Sequence, residues 1–307
     1  MTLPKEYLEY PKRRYGMDQD RYEWSILQKR KPVSWPEGAR VALWVVPALE
    51  FFPLNQPAKP FKAPGGMVTP YPDLRHYTLR DYGNRVGIFR VMKVLDELGI
   101  KASVAINSRV AERYPLLIEE VRRRNWEIIA HGVDMGALHH GGLAAADERK
   151  LVRKALKTLR EASGQKVTGW LSPAKSESAN TLDLIAAEGI EYVCDWINDD
   201  MPYALETKHG QIHSMPHSYE IDDQTIMLQN HHSEDDFVAQ VCDQFDVLYG
   251  ESEREGGRIM AITIHPWMSG QPHRIKALKR ALAHIMGHDG VWSATGAEIL
   301  AAFKNQR

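Results

Sequence analysis

A glutamate and two histidines, far apart in this 307-residue chain, each follow an apolar run that reads as a buried strand. Glu50 closes Val41-Ala-Leu-Trp-Val-Val-Pro-Ala-Leu49, His131 closes Trp126-Glu-Ile-Ile-Ala130, and His265 closes Ile259-Met-Ala-Ile-Thr-Ile264. In α/β barrels and open parallel sheets the ligand site lies beyond the carboxyl ends of the strands, so these groups can meet in one pocket. A carboxylate beside two imidazoles can take a proton from water and return one to a leaving group, which is hydrolytic chemistry. Gly132 lets the chain turn directly after His131, and Pro266 stops strand pairing directly after His265. Glu50 stands so close to a core run that its charge must be paired or functional.

Other segments offer binding groups. Gly169-Trp170-Leu-Ser-Pro-Ala-Lys175 supplies an aromatic wall and a cation after a strand. Asp195-Trp-Ile-Asn-Asp199-Asp200 clusters three acids; neighbouring carboxylates raise one another's pKa, which suits proton transfer and equally suits a solvated loop. Arg80, in Arg80-Asp-Tyr-Gly-Asn-Arg85, either belongs to a helix cap with an internal ion pair or brings a cation to a substrate carbonyl. The pairs His139-His140 and His231-His232 suit a metal poorly, because adjacent side chains diverge on a strand or a helix. No P-loop, GxGxxG, HExxH, GxSxG or zinc-finger spacing is present.

The elements that must position these groups alternate along the chain. Residues 1–40, polar, aromatic and broken by Pro4, Pro11, Pro32 and Pro36, read as an irregular N-terminal arm packed on a barrel. Residues 41–307 read as a single catalytic domain. Between Glu50 and the first helix runs a loop punctuated by Pro53, Pro57, Pro60, Pro64, Pro70 and Pro72, long enough to shape a site. From residue 84 onward helical spacing (Val86, Phe89, Met92, Leu95) gives way to a short strand at 102–106. The alternation continues with a helix from Pro115, the strand before His131, a helix at 145–162 and a strand at 167–171. Residues 181–187 read as helix, 192–194 and 225–228 as extended, 233–249 as helix and 259–264 as the clearest strand. Helices at 273–286 and 296–304 follow, the second opened by the capping box Thr295-x-x-Glu298. The pattern predicts one α/β domain with a mainly parallel sheet, a closed or nearly closed barrel.

Bulk properties narrow the function. A net charge of −1 and a pI near 6.9 leave no basic excess for a phosphate backbone, so no nucleic-acid partner is expected. Arg122-Arg123-Arg124 complements the end of a helix dipole. No apolar run approaches the roughly 20 residues a bilayer needs, and the N-terminus lacks a signal-type core, so no membrane partner and a cytoplasmic location are expected. Cys194 and Cys242 lack paired spacing and read as free, buried thiols. The expected partner is a small-molecule substrate. A homo-oligomer is expected, with the aromatic arm at 7–24 and the proline-rich loop at 53–72 as candidates for the subunit contact.

With these residues in hand, the chain resembles the polysaccharide deacetylase (NodB homology) superfamily. It is more closely similar to the branch of PuuE-type allantoinases and related cyclic-amide hydrolases. The residues that carry the resemblance are Arg80-Asp-Tyr-Gly-Asn-Arg-Val-Gly87, Ala130-His-Gly132, Gly169-Trp170, Asp195-Trp-Ile-Asn-Asp-Asp-Met-Pro-Tyr203 and Ile264-His-Pro266. The resemblance implies a distorted β/α barrel of about seven strands with its centre at the strand ends. In the sugar deacetylases an Asp-Asp motif supplies a base and a metal ligand, a His-x-x-x-His motif two more ligands, and a late histidine the acid. Glu50 falls near the first motif, His131 at the first histidine and His265 at the late one, while Met135 takes the place of the second metal histidine. The implied alternatives are no cofactor at all or a divalent metal such as zinc, held by Glu50, His131 and His140.

The expected activity is hydrolysis of a non-peptide C–N bond in a small cyclic amide, imide or ureide. Glu50 or His131 would deprotonate water, and His265 would protonate the leaving nitrogen or stabilise the oxyanion. Trp170 would wall the pocket, with Lys175, Asp199, Asp200 and Arg80 as substrate-binding groups. The alternatives are a metal-dependent N-acetyl sugar deacetylase and a non-catalytic binding barrel with a degenerate site.

Overall fold

The computed structural model describes residues 19–57, 60–62 and 72–306. The arm before residue 19 and much of the proline-rich loop, including Pro64 and Pro70, lie outside the described residues, as do the contacts expected of them.

Strand β1 (Val41–Leu49) is buried along its whole length, which is why its sequence is an unbroken apolar run. After the loop, Asp73 caps α1 (Leu74–Tyr82) by accepting from the His76 backbone. A wider π turn (Gly83–Gly87) then carries the helix into α2 (Ile88–Glu97). The chain continues through β2 (Ser103–Ile106), α3 (Ser108–Arg113), α4 (Pro115–Arg123), β3 (Glu127–Ala130), α5 (Ala145–Ser163) and β4 (Gly169–Trp170). Next come α6 (Thr181–Ala187), β5 (Tyr192–Val193) and a hairpin of β6 (Tyr203–Thr207) and β7 (Gly210–Ser214). A second π turn (Thr225–Gln229) precedes α7 (Glu234–Glu255), β8 (Arg258–Ile264), α8 (Pro266–Ser269), α9 (Ile275–Met286), β9 (Val291–Ser293) and α10 (Gly296–Lys304).

Among the described residues one nine-stranded sheet runs β6-β7-β5-β4-β3-β2-β1-β8, with β9 also pairing to β1. All its pairings are parallel except the β6–β7 hairpin. It curls into a half-barrel, the distorted β/α barrel that was expected. The sheet path is open between β6 and β8, so the barrel is incompletely closed. The order β3-β2-β1-β8 sets the carboxyl ends of three functional strands in one row, with Leu49 beside Ile106 and Pro47 beside Ile264.

Period-two alternation divides β1 between two cores. Val41, Leu43 and Val45 pack with Val91, Met92 and Leu95 of α2. Ala42, Trp44 and Val46 pack with Tyr192, Leu300, Phe303 and Trp35. The Trp35 indole donates to the Arg258 carbonyl at 2.8 Å, and Arg21 forms a buried ion pair with Asp183 at 2.7 Å. Cys194 is buried, Cys242 is partly so, and both are free thiols. Among the described residues no helix is long and apolar enough to cross a membrane.

Three local expectations are corrected. Residues 225–228 are helical rather than extended, since a short buried apolar run fits either state. Arg80–Arg85 lies inside a continuous helix at its π turn, not at a cap. The strand at 167–171 shrinks to Gly169–Trp170, because Val167 takes a left-handed conformation with φ 47°.

Candidate active site

Glu50, His131 and His265 converge. The end of β1 delivers Glu50, the end of β3 delivers His131 and the end of β8 delivers His265. Glu50 Oε1 lies 3.7 Å from His131 Nε2 and 3.9 Å from His265 Nε2. These separations exceed a direct hydrogen bond and leave the three groups facing a shared space. All three side chains are buried. They line a cavity of about 70 Å³ together with Met135, Leu171, Lys175, His217, Tyr219, Asp222, Gln224 and Thr263.

Strand β2 ends between the two halves of this set, and Asn107 fills the gap. Its backbone donates to the Leu49 carbonyl at 3.1 Å, its side-chain oxygen accepts from Phe51 at 2.7 Å, and its side-chain nitrogen donates to the His131 carbonyl. Asn84, in the first π turn, donates to the Glu50 carbonyl at 2.9 Å. Gly83 and Gly87 of that turn approach the chain just after His265; a Cβ at Gly87 would fall 2.0 Å from the Pro266 carbonyl oxygen. The helix carrying Arg80 and Asn84 is thereby pressed against the His265 turn.

The two imidazoles are held in different states. His131 Nδ1 lies 2.8 Å from the Leu171 carbonyl, which only a protonated Nδ1 can approach as a donor. Its Nε2 faces Glu50 and is the nitrogen available to accept a proton. His265 Nδ1 donates to Asp223 Oδ1 at 2.7 Å, leaving Nε2 toward Glu50. Burial pushes the His265 imidazole down, but Asp222, Asp223 and Glu50 outweigh it and lift the group to about 10. At neutral pH His265 is an imidazolium with Nε2–H directed at the cavity. Burial likewise works against the Glu50 charge, yet the charged His265, the neighbouring His131 ring and the Arg80 cation hold its carboxyl below the usual value. A carboxylate and a basic imidazole thus oppose a charged acid.

Of the binding groups expected from the sequence, Lys175 alone lines this cavity. Arg80 stacks on the Trp267 ring at 3.8 Å and contributes to the field on Glu50, but does not line the cavity. Trp170 is fully buried in the core, edge-on to His139, and bonds Ser172 Oγ through its indole nitrogen. Asp199 is engaged by Arg30 at 2.7 Å, and Asp200 is exposed. His140 lies outside the lining; its Nδ1 accepts from the Gly142 backbone at 3.1 Å. The structure instead brings in Asp222, Asp223, His217 and Gln224, none of which the strand-end pattern singled out. Their one signal was the adjacent acids Asp222-Asp223 just before an apolar run.

The metal centre that the resemblance implies does not fit this donor set. Glu50 Oε1 and His131 Nε2 are suitable ligands, but the place of the second metal histidine is taken by the Met135 thioether, a poor partner for Zn²⁺ beside nitrogen and oxygen. His265 Nε2 carries a proton. Asp223 is committed to the His265 backbone nitrogen, to its ring Nδ1 and to Ser269, and Asp222 Oδ1 to the Gln224 and Thr225 backbones.

Comparison with known proteins agrees with this picture. Residues 77–193 match the family model for polysaccharide deacetylase. A Schizosaccharomyces pombe protein assigned as a polysaccharide deacetylase is 24% identical over 239 residues, covering 73% of this chain and 74% of its own. Helicobacter pylori peptidoglycan deacetylase is 23% identical over 256 residues, covering 72% and 85%. Among solved structures, PuuE allantoinase superposes with a TM-score of 0.79 at 25% identity, covering 89% of this chain and 93% of its own. A probable polysaccharide deacetylase of Pseudomonas aeruginosa PAO1 does so with the same TM-score and identity, covering 89% and 94%. Over residues 77–193 the chain is therefore similar to the polysaccharide deacetylase family, and it shares its half-barrel with these neighbours.

Proposed function

We propose that this protein hydrolyses a non-peptide C–N bond in a small cyclic amide, imide or ureide. The observation that carries this reading is the enclosure of the reactive atoms. Glu50, His131 and His265 are each no more than 8% exposed, around a cavity of about 70 Å³. A compact molecule fits that setting better than a residue within a polymer, whose neighbours need an open groove.

The reacting groups act as follows. A water between Glu50 Oε1 and His131 Nε2 attacks the amide carbonyl carbon as its proton passes to this pair. The imidazolium of His265 faces the developing oxyanion and delivers its Nε2 proton to the leaving nitrogen. The C–N bond breaks to give a carboxylic acid and a free N–H, and the proton held by Glu50 and His131 passes to His265 Nε2, restoring the starting state. Each step uses groups of this chain.

A second reading, deacetylation of an N-acetylated sugar, is favoured by the names of the curated relatives. The test offers purified protein allantoin, hydantoin, dihydrouracil, succinimide and N-acetylglucosamine oligomers, with and without a chelator. Ring opening that persists under chelation is the expected result. Turnover confined to acetylated sugars and dependent on zinc, or no turnover on any of them, overturns the proposal.

A further inference from the structure

The cavity also holds polar atoms that nothing among the described residues satisfies. His217 Nδ1 and Gln224 Oε1 are both buried without a hydrogen-bond partner, and Glu50 Oε2 is in the same condition. All three residues line the one cavity. Buried polar atoms are almost always paired, and leaving one unpaired costs about 1–3 kcal/mol. Several around a single small space mark the outline of a polar ligand.

The wall is built rather than incidental. His217 is fixed through Nε2, 3.2 Å from Thr263 Oγ1, and packs edge-on against Trp44. Burial, with Lys175 and the charged His265 nearby, pushes its imidazole well below the usual value and keeps it neutral. Lys175 reaches the cavity from a turn in which Ala174 and Lys175 both adopt left-handed φ, at 56° and 51°. Such strain in residues other than glycine persists where the surroundings impose it. The Lys175 ammonium makes only long contacts, 3.3 Å to the His217 carbonyl and 3.4 Å to that of Ser218.

We infer that Gln224, His217 and Lys175 form a recognition edge for a ligand carrying neighbouring N–H and C=O groups, which is the chemistry of an unsubstituted cyclic ureide or imide. Gln224 Oε1 accepts a ligand N–H, Lys175 donates to a ligand carbonyl oxygen, and His217 Nδ1 bonds the next polar atom. The inference rests on the reading of this cavity as the substrate site. It adds that the substrate is selected by its ring N–H groups and not by shape alone.

The test is a binding measurement, so it can succeed or fail apart from catalysis. Hydantoin, 1-methylhydantoin, 3-methylhydantoin and 5-methylhydantoin are titrated calorimetrically into the wild-type protein and into Gln224→Leu. Methylation at carbon 5 controls for added bulk. In the wild type, at least one N-methyl compound is expected to bind tenfold or more weakly than the 5-methyl compound. Gln224→Leu is expected to remove that difference. Equal binding of N-methyl and C-methyl compounds by the wild type overturns the inference even if the variant fails to fold. So does absence of hydantoin binding, or discrimination that survives in folded Gln224→Leu. Discriminating binding without ring opening would instead leave the recognition edge standing and defeat the hydrolase proposal.

Discussion

Asp223 grips His265 by two nitrogens at once, accepting from its backbone at 2.9 Å and from its ring Nδ1 at 2.7 Å. One carboxylate therefore sets both where the ring sits and what charge it carries. With Asp222 and Glu50 it lifts the imidazole to about 10 against the cost of burial. If hydrolysis needs the imidazolium, the alkaline limb of kcat/KM stands near pH 10 in the wild type. Asp223→Asn should move that limb to lower pH and reduce turnover at neutral pH by on the order of 10²-fold. The linkage has the same sign for stability. A histidine raised above its unfolded pKa of about 6.5 adds stability that is fully present below that pH and is lost as pH rises toward 10. Thermal melts of the wild type between pH 6 and 10 should fall along this course, and those of Asp223→Asn less steeply.

Glu50→Gln tests the other side of the site. Removing the carboxylate should lower turnover by about 10²–10⁴-fold while the protein stays folded, the range for loss of a general base. Glu50 is held below its usual pKa by cations, so its contribution to stability is present above the unfolded value of about 4.3. That contribution is lost as pH falls through the lower folded value. Melting temperatures measured from pH 7 down to 3 should drop further for wild type than for Glu50→Gln. Unchanged turnover in a folded variant would remove Glu50 from the chemistry.

The convergence of Glu50, His131 and His265 was legible because each follows an apolar run, and parallel strands in register bring such ends together. Asp223, His217 and Gln224 were not, because the segment from Met215 to Gln224 has no hydrophobic period and is placed by contacts with distant parts of the chain, Val193 of β5, Trp44 of β1 and Thr263 of β8 among them. Trp170 shows how a single position misleads. In β4 Trp170 joins the core that includes the helices, and Leu171, one residue on, lines the cavity. One step along a strand exchanges faces, so an aromatic beside the site became core. Asp199 was misread for a different reason. Its partner Arg30 lies 169 residues away in the N-terminal stretch, and no local pattern announces that contact.

Gly87→Ala should damage both stability and activity. The added methyl would sit 2.0 Å from the Pro266 carbonyl oxygen and 2.8 Å from its carbon, backbone atoms that cannot rotate aside. Overpacking of this kind costs about 1–3 kcal/mol. Relief requires the turn after His265 to move, so kcat should fall along with the melting temperature. Gly250→Ala, in α7 with nothing within 4 Å of the new Cβ, is the control. It should be neutral or stabilising by up to about 1 kcal/mol. Denaturant melts and initial rates on the two variants separate a steric effect at one place from a general intolerance of glycine replacement.

Glu148 supports the site from a distance. Its buried carboxylate accepts from His139 Nδ1 at 3.0 Å and from the hydroxyls of Ser178 and Thr181, each at 2.6 Å. His139 also holds the 173–176 loop: its backbone nitrogen donates to Ser176 Oγ, and Ser176 Oγ donates to the Pro173 carbonyl. These bonds bracket the strained Ala174-Lys175 turn that carries the ammonium to the cavity. Glu148→Ala leaves two buried donors, His139 and Thr181, and the half-buried Ser178 without their acceptor, and should cost several kcal/mol at about 1–3 kcal/mol for each buried donor. Glu148→Gln retains one acceptor oxygen and should cost less. Because the damage reaches Lys175 and not the Glu50–His131–His265 set, the folded Glu148→Gln enzyme should show a raised KM with kcat nearly unchanged. An equal fall in kcat would mean that the turn positions the reacting groups and not only the ligand.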